Sequence, residues 1–157
     1  MEKSFYSYQD APEMTRQIFE WLADKKAPAC TGISFSANTT LEKNASAAIV
    51  KSRHAQTIKR LEFSEVGFSA DQLEELLRMP ALTELRIEGG ESWDWAGPKY
   101  VWSTMGSEHI DVLKTSLHAK RLRVLSIRNQ QFSDELGQDL RKVLPKLQTL
   151  KIEDVNY

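Results

Sequence analysis

Two stretches decide the fold: residues 58–80, IKRLEFSEVGFSADQLEELLRMP, and residues 122–145, LRVLSIRNQQFSDELGQDLRKVLP. Each opens on an apolar-x-x-apolar-x-apolar spacing, Ile58/Leu61/Phe63 in the first and Leu122/Leu125/Ile127 in the second. Each then carries an aromatic five positions on (Phe68, Phe132), a serine (Ser69, Ser133), an amphipathic run and a closing proline (Pro80, Pro145). A hydrophobic period of two that changes to about 3.6 marks a strand followed by a helix. The serine supplies an N-cap oxygen and the proline ends the helix by removing a donor.

Working outward, the same triplet recurs at Cys30/Ile33/Phe35, Leu82/Leu85/Ile87 and Leu147/Leu150/Ile152, with Tyr157 again five residues after the last position. First positions are separated by 28, 24, 40 and 25 residues, so the third interval holds an insertion, placed at about 91–106. Helices are expected at 12–26 behind Asp10 with Glu13, at 40–53 behind Thr39 with Glu42, at 70–79 behind the Ser69-x-x-Gln72 box, at 108–118 behind Ser107, and at 134–144 behind Ser133. Residues 1–29 read as an N-terminal cap built on the first of these helices. The whole chain reads as one domain, the size at which roughly 70% of the unfolded surface is buried without a disulfide or metal.

The strands' other faces read Arg60/Glu62/Ser64, Glu84/Arg86/Glu88, Val124/Ser126/Arg128 and Thr149/Lys151/Glu153. A second helix layer over so many charges would cost several kcal/mol per unpaired ion, so the sheet is expected to leave that face to water. These residues resemble the leucine-rich repeat family, in its helix-containing, ribonuclease-inhibitor-like or F-box-associated branch, over residues 30–157. The resemblance implies an α/β solenoid: about five parallel strands in sequential order, helices on one face, and a concave strand surface that binds protein. The family's asparagine at repeat position nine, which satisfies backbone groups at the turn, is matched only by Asn38; Val66, Gly90, Gln130 and Val155 stand elsewhere. An F-box needs about forty residues and only 29 precede the first triplet, so a stand-alone inhibitor, immunity-type or adapter protein fits better than a ligase receptor.

Composition narrows the function. With 21 Lys+Arg against 22 Asp+Glu the net charge is −1, which removes the long-range attraction that nucleic-acid and anionic-membrane binders use. Two basic groups, His118/Lys120/Arg121/Arg123/Arg128 and Lys51/Arg53/Lys59/Arg60, lack interleaved aromatics for base stacking. The single Cys30 cannot close an internal disulfide, and no apolar leader or spanning run is present, so a cytoplasmic, soluble protein is expected. His54, His109 and His118 are scattered without ligand spacing and are expected at exposed helix or turn positions; Gly89-Gly90 reads as a turn, and Glu91, Asp94, Glu108 and Asp111 as solvated acids. Neither an enzyme nor a cofactor is indicated.

Two features remain for binding. In parallel register the open face forms columns that set Arg60 opposite Glu84, Glu62 opposite Arg86, and Arg128 between Glu88 and Glu153; these either set register, at about 0.2–1 kcal/mol per pair, or read a charged partner. The insertion carries Trp93, Asp94, Trp95, Tyr100 and Trp102 around a Gly97-Pro98 break, and these rings either anchor a partner or form a private mini-core. Residues 147–152 are expected as an exposed edge, guarded by Lys151, Glu153 and Asp154 or open to a homodimer strand. The expected function is non-catalytic protein–protein interaction through the concave face and the insertion, against the alternative of a small enzyme or nucleic-acid binder that uses 91–106 as a pocket lid.

Overall fold

The computed structural model describes residues 1–92, 100–130 and 134–154, with the backbone alone at 91–92, 100–102, 134–135 and 154. Its elements alternate: β1 (Glu2–Tyr6), α1 (Ala11–Ala23), β2 (Gly32–Thr40), α2 (Lys43–Lys51), β3 (Arg60–Gly67), α3 (Ala70–Leu77), β4 (Glu84–Glu88), β5 (Gly90–Ser92), β6 (Tyr100–Trp102), α4 (Ser107–Thr115), β7 (Val124–Gln130), α5 (Asp134–Val143) and β8 (Thr149–Asp154). One parallel sheet runs in the order β1-β2-β3-β4-β7-β8, and β5 pairs antiparallel with β6 as a separate ribbon. Among the described residues there are five α-helices, each touching the next along the row.

The triplets explain this arrangement. Ile33, Leu61, Leu85 and Leu125 share one row and Phe35, Phe63, Ile87 and Ile127 the next, all 0–1% exposed beneath the helix row. Phe5, Phe35 and Phe63 stack face to face along the second row, at 5.7 and 5.0 Å between centroids. Rings on successive strands can stack because neighbouring strands lie about 4.8 Å apart. On the other face the predicted side-by-side placement holds residue for residue, as Arg60/Glu84/Val124/Thr149, Glu62/Arg86/Ser126/Lys151 and Ser64/Glu88/Arg128/Glu153, and Gly32 continues the first of these rows on β2.

Several expectations are corrected. The sheet has six strands, because residues 2–6 form β1 instead of belonging to a purely helical cap. Phe5 aligns with Phe35, but Lys3 occupies the apolar position beside Ile33, so the triplet is absent from β1. Helix α2 starts at Lys43 with no side-chain cap, since Thr39 and Thr40 prolong β2 against Val66 and Gly67; Glu42 instead accepts from Thr15 Oγ1 at 2.6 Å. Helix α4 ends at Thr115, and Leu117 is 75% exposed, outside the buried stripe. The N-cap expected at Ser133 lies outside the described residues. Asp10 and the Ser69/Gln72 box cap α1 and α3 as expected.

Candidate functional site

The open face is assembled by strand register. Arg60, Glu62, Glu84, Arg86 and Arg128 all stand on it, brought side by side by the parallel pairing of β3, β4 and β7. The pairing of charges differs from simple cross-strand opposition. Arg60 turns toward β1 and bonds Glu2; Arg86 lies 3.7 Å from Glu84 on its own strand. Arg128 does bridge its neighbours, with Nε donating to Glu153 at 2.7 Å and Nη1 3.9 Å from Glu88. Glu62 makes no ion pair among the described residues. Glu2 takes Arg60 because it sits across Gly32, whose missing side chain leaves the space between them open.

A depression of about 390 Å³ opens on this face between β4, β7 and β8. Arg86, Arg128 and Lys151 overhang it and Ser126 lines it. A larger open groove of about 750 Å³ runs along the C-terminal ends of β2 and β3, walled by Asn38, Glu65, Ser69 and Ser103 among others. Its polar groups are mostly engaged: Gln72 accepts from Ser69 N–H and donates to Leu41 O and Ser46 Oγ, while Ser103 bonds Gln130 and Met105 O.

The insertion enters the fold as the β5–β6 ribbon, whose second strand lies beside β7. Tyr100 and Trp102 are on that second strand; Trp93, Asp94 and Trp95 lie outside the described residues. The residue that ties the insertion down was not visible to pattern reading. Gln130, 1% exposed, accepts from the backbone N–H of Thr104 at 2.9 Å and of Met105 at 3.2 Å, and donates to Thr104 Oγ1 at 3.0 Å. Gln130 stands at repeat position nine, where the resemblance implies an asparagine satisfying a turn. Asn38, the one asparagine at that position, is exposed, because the register shift between Ser36 and Thr39 turns Ala37 inward in its place.

Two histidines are also corrected, from exposed to buried. His109 Nδ1 accepts from Gly106 N–H at 2.9 Å, which leaves Nε2 to donate to Phe68 O at 2.6 Å. His54 lies flat on Trp21, ring centroids 4.5 Å apart. In the two basic groups, Arg53 donates to Asp24 O and Ala27 O, and Arg121 donates to Leu77 O and Met79 O. Each arginine thus holds one carbonyl at the C-terminal end of the preceding repeat's helix, Asp24 O or Leu77 O, where the negative end of the helix dipole favours a cation, and one in the turn that follows, Ala27 O or Met79 O. Among the described residues no cluster of His, Cys, Asp and Glu could hold a metal, and no helix is long and apolar enough to cross a membrane. No family model, curated protein or solved structure matches this chain.

Proposed function

We propose that this chain is a short, irregular solenoid of the leucine-rich repeat type, acting in the cytoplasm as a non-catalytic protein-binding module: a stand-alone inhibitor, immunity-type or adapter protein. One observation carries the reading. Among the described residues, a six-stranded parallel sheet has no helix layer on one face, and that face presents charged side chains without an ion-pair partner there, Glu62 and Lys151 among them. A register-setting ladder alone needs no unpaired members. The backbone of β6, the strand that carries Tyr100 and Trp102, lies beside β7, and in this reading the insertion's aromatic residues act as anchors next to the charged face.

The test is affinity capture from a lysate of the source organism with three baits. These are the intact chain, a chain whose residues 91–106 are replaced by a short Gly-Ser turn, and a Glu62→Lys/Arg86→Glu double variant. One protein held by the first and released by both others is the expected result. Retention of every captured protein by both variants would overturn the reading.

A further inference from the structure

Ser126 is the one short polar side chain in the middle of a charged row: register places Glu62 and Arg86 on one side of it and Lys151 on the other, with Arg128 the next open-face residue along β7. Although no helix among the described residues covers this face, Ser126 is only 8% exposed, because longer side chains line the same depression of about 390 Å³. Its hydroxyl makes no hydrogen bond among the described residues. The oxygen itself keeps some contact with solvent, so the hydroxyl is a free donor that a ligand atom can take over from water. Both flanking cations are available to the same atom. Arg86 is 3.7 Å from Glu84, beyond hydrogen-bond distance, and Lys151 has no ion-pair partner among the described residues.

We propose that this depression is an anion subsite that seats the side-chain carboxylate of an acidic residue on a protein partner, with Ser126 donating from below and Arg86 and Lys151 closing from the sides. The proposal rests on the protein-binding reading above and deepens it. The surroundings select a single carboxylate. Glu62, Glu84, Glu88 and Glu153 stand on the same face, and their field opposes a dianion or a run of phosphates. Glu62, two strands from Ser126, is in turn placed for a cation. Two inter-strand spacings make about 10 Å, so the matching epitope carries an acidic and a basic side chain roughly that far apart. The fork of Arg86 suits a planar carboxylate, which a single guanidinium grips with two parallel bonds.

The test uses the full chain and a defined probe, the capped peptide acetyl-Glu-Gly-Lys-amide, followed by backbone and arginine side-chain NMR shifts. Acetyl-Gln-Gly-Lys-amide and inorganic phosphate at matched ionic strength are the comparisons. Expected are saturable shifts centred on Ser126, Arg86 and Lys151 with the Glu peptide, and none with the Gln peptide. Ser126→Ala, Arg86→Ala and Lys151→Ala should each weaken the dissociation constant by about fivefold or more. Because the hydroxyl has no internal partner, Ser126→Ala should keep the parent melting temperature. A clear drop would make the hydroxyl structural and overturn the proposal, as would shifts that never saturate, or phosphate binding as tightly as the peptide. The titration needs no natural partner. Its failure removes the subsite and leaves the module reading to the capture experiment; a saturable titration beside failed capture does the reverse.

Discussion

His54 shows what a pattern of residue types cannot carry. It lies in a 3-10 turn at Arg53–Gln56, its ring stacked on Trp21 and its Nε2 buried without a hydrogen-bond partner. Burial, with a smaller push from the Arg53 charge, lowers its pKa below the ordinary histidine value. The native state therefore binds fewer protons than the unfolded chain at pH values between the lowered pKa and the ordinary one. Its contribution to stability is complete above the ordinary value and is lost as pH falls through that window. Urea midpoints between about pH 7 and 5 should decline in the parent and decline less in His54→Phe, which keeps the stack and cannot protonate; equal slopes would show that another group sets the dependence. Cys30 follows the same logic. It is fully buried with Sγ 3.1 Å from Gly32 O, and burial pushes its thiol upward. Alkylation in native buffer should proceed only as fast as the protein opens, and at the free-thiol rate in denaturant; fast native labelling would contradict this packing.

At the scale of elements, Gln130 joins the insertion to the sheet. Gln130→Ala would orphan the N–H of Thr104 and leave that of Met105 only a long bond to Ser103 Oγ at 3.4 Å, a loss of about 1–3 kcal/mol by the cost of unsatisfied buried groups. Exchange at those two amides should accelerate more than at the Leu125 amide within β7, and uniform acceleration would mean that the ribbon has no separate attachment. The apolar triplets made the five main-sheet strands from Cys30 onward legible, together with their order and register, because each residue type there answers to burial alone; the β5–β6 ribbon was not legible, and Gly90, expected in a turn, pairs with Trp102 in it. Pattern missed β1, where Lys3 interrupts the row and only Phe5 marks the inner face. It also misplaced the start of α2, which depends on a tertiary partner, since Glu42 is engaged by Thr15; α4 begins one residue early, at Ser107, where Gly106 N–H donates to His109 Nδ1 within the helix's own first turn. The candidate site was legible as columns of charge but not as pairs. Arg60 and Arg86 choose among carboxylates by side-chain reach, and reach depends on gaps such as the one at Gly32. Two positive-φ residues, Glu65 at 58° and Asn129 at 53°, fall at the same place, two residues past Phe63 and Ile127. That shared turn gave no signal in residue type, since one of the two is a glutamate.

At the scale of the molecule, the stack has two ends with opposite characters. At β8 the core runs out gradually, with Leu147, Leu150 and Ile152 only partly buried against it. At β1 the row Ile33, Leu61, Leu85, Leu125, Leu150 ends in Lys3, whose ammonium lies 5.5 Å from the Phe5 ring centroid. Among the described residues β1 and β8 each lack a neighbouring strand on their outer side, and parallel strands of this register could in geometry continue from the β8 of one copy to the β1 of the next. Such a head-to-tail contact does not close on itself and grows into filaments. An inward-facing lysine on an edge strand opposes it, because docking another apolar strand there would bury the charge. Lys3→Leu removes that barrier while extending the apolar row. Expected are a melting temperature raised by a few degrees, from roughly 1 kcal/mol of added burial, and a light-scattering mass that climbs with concentration where the parent's does not. If the variant keeps the parent's mass at every concentration, the lysine is not what holds copies apart, and the twist of β1 or the side chains of its open face must do so instead.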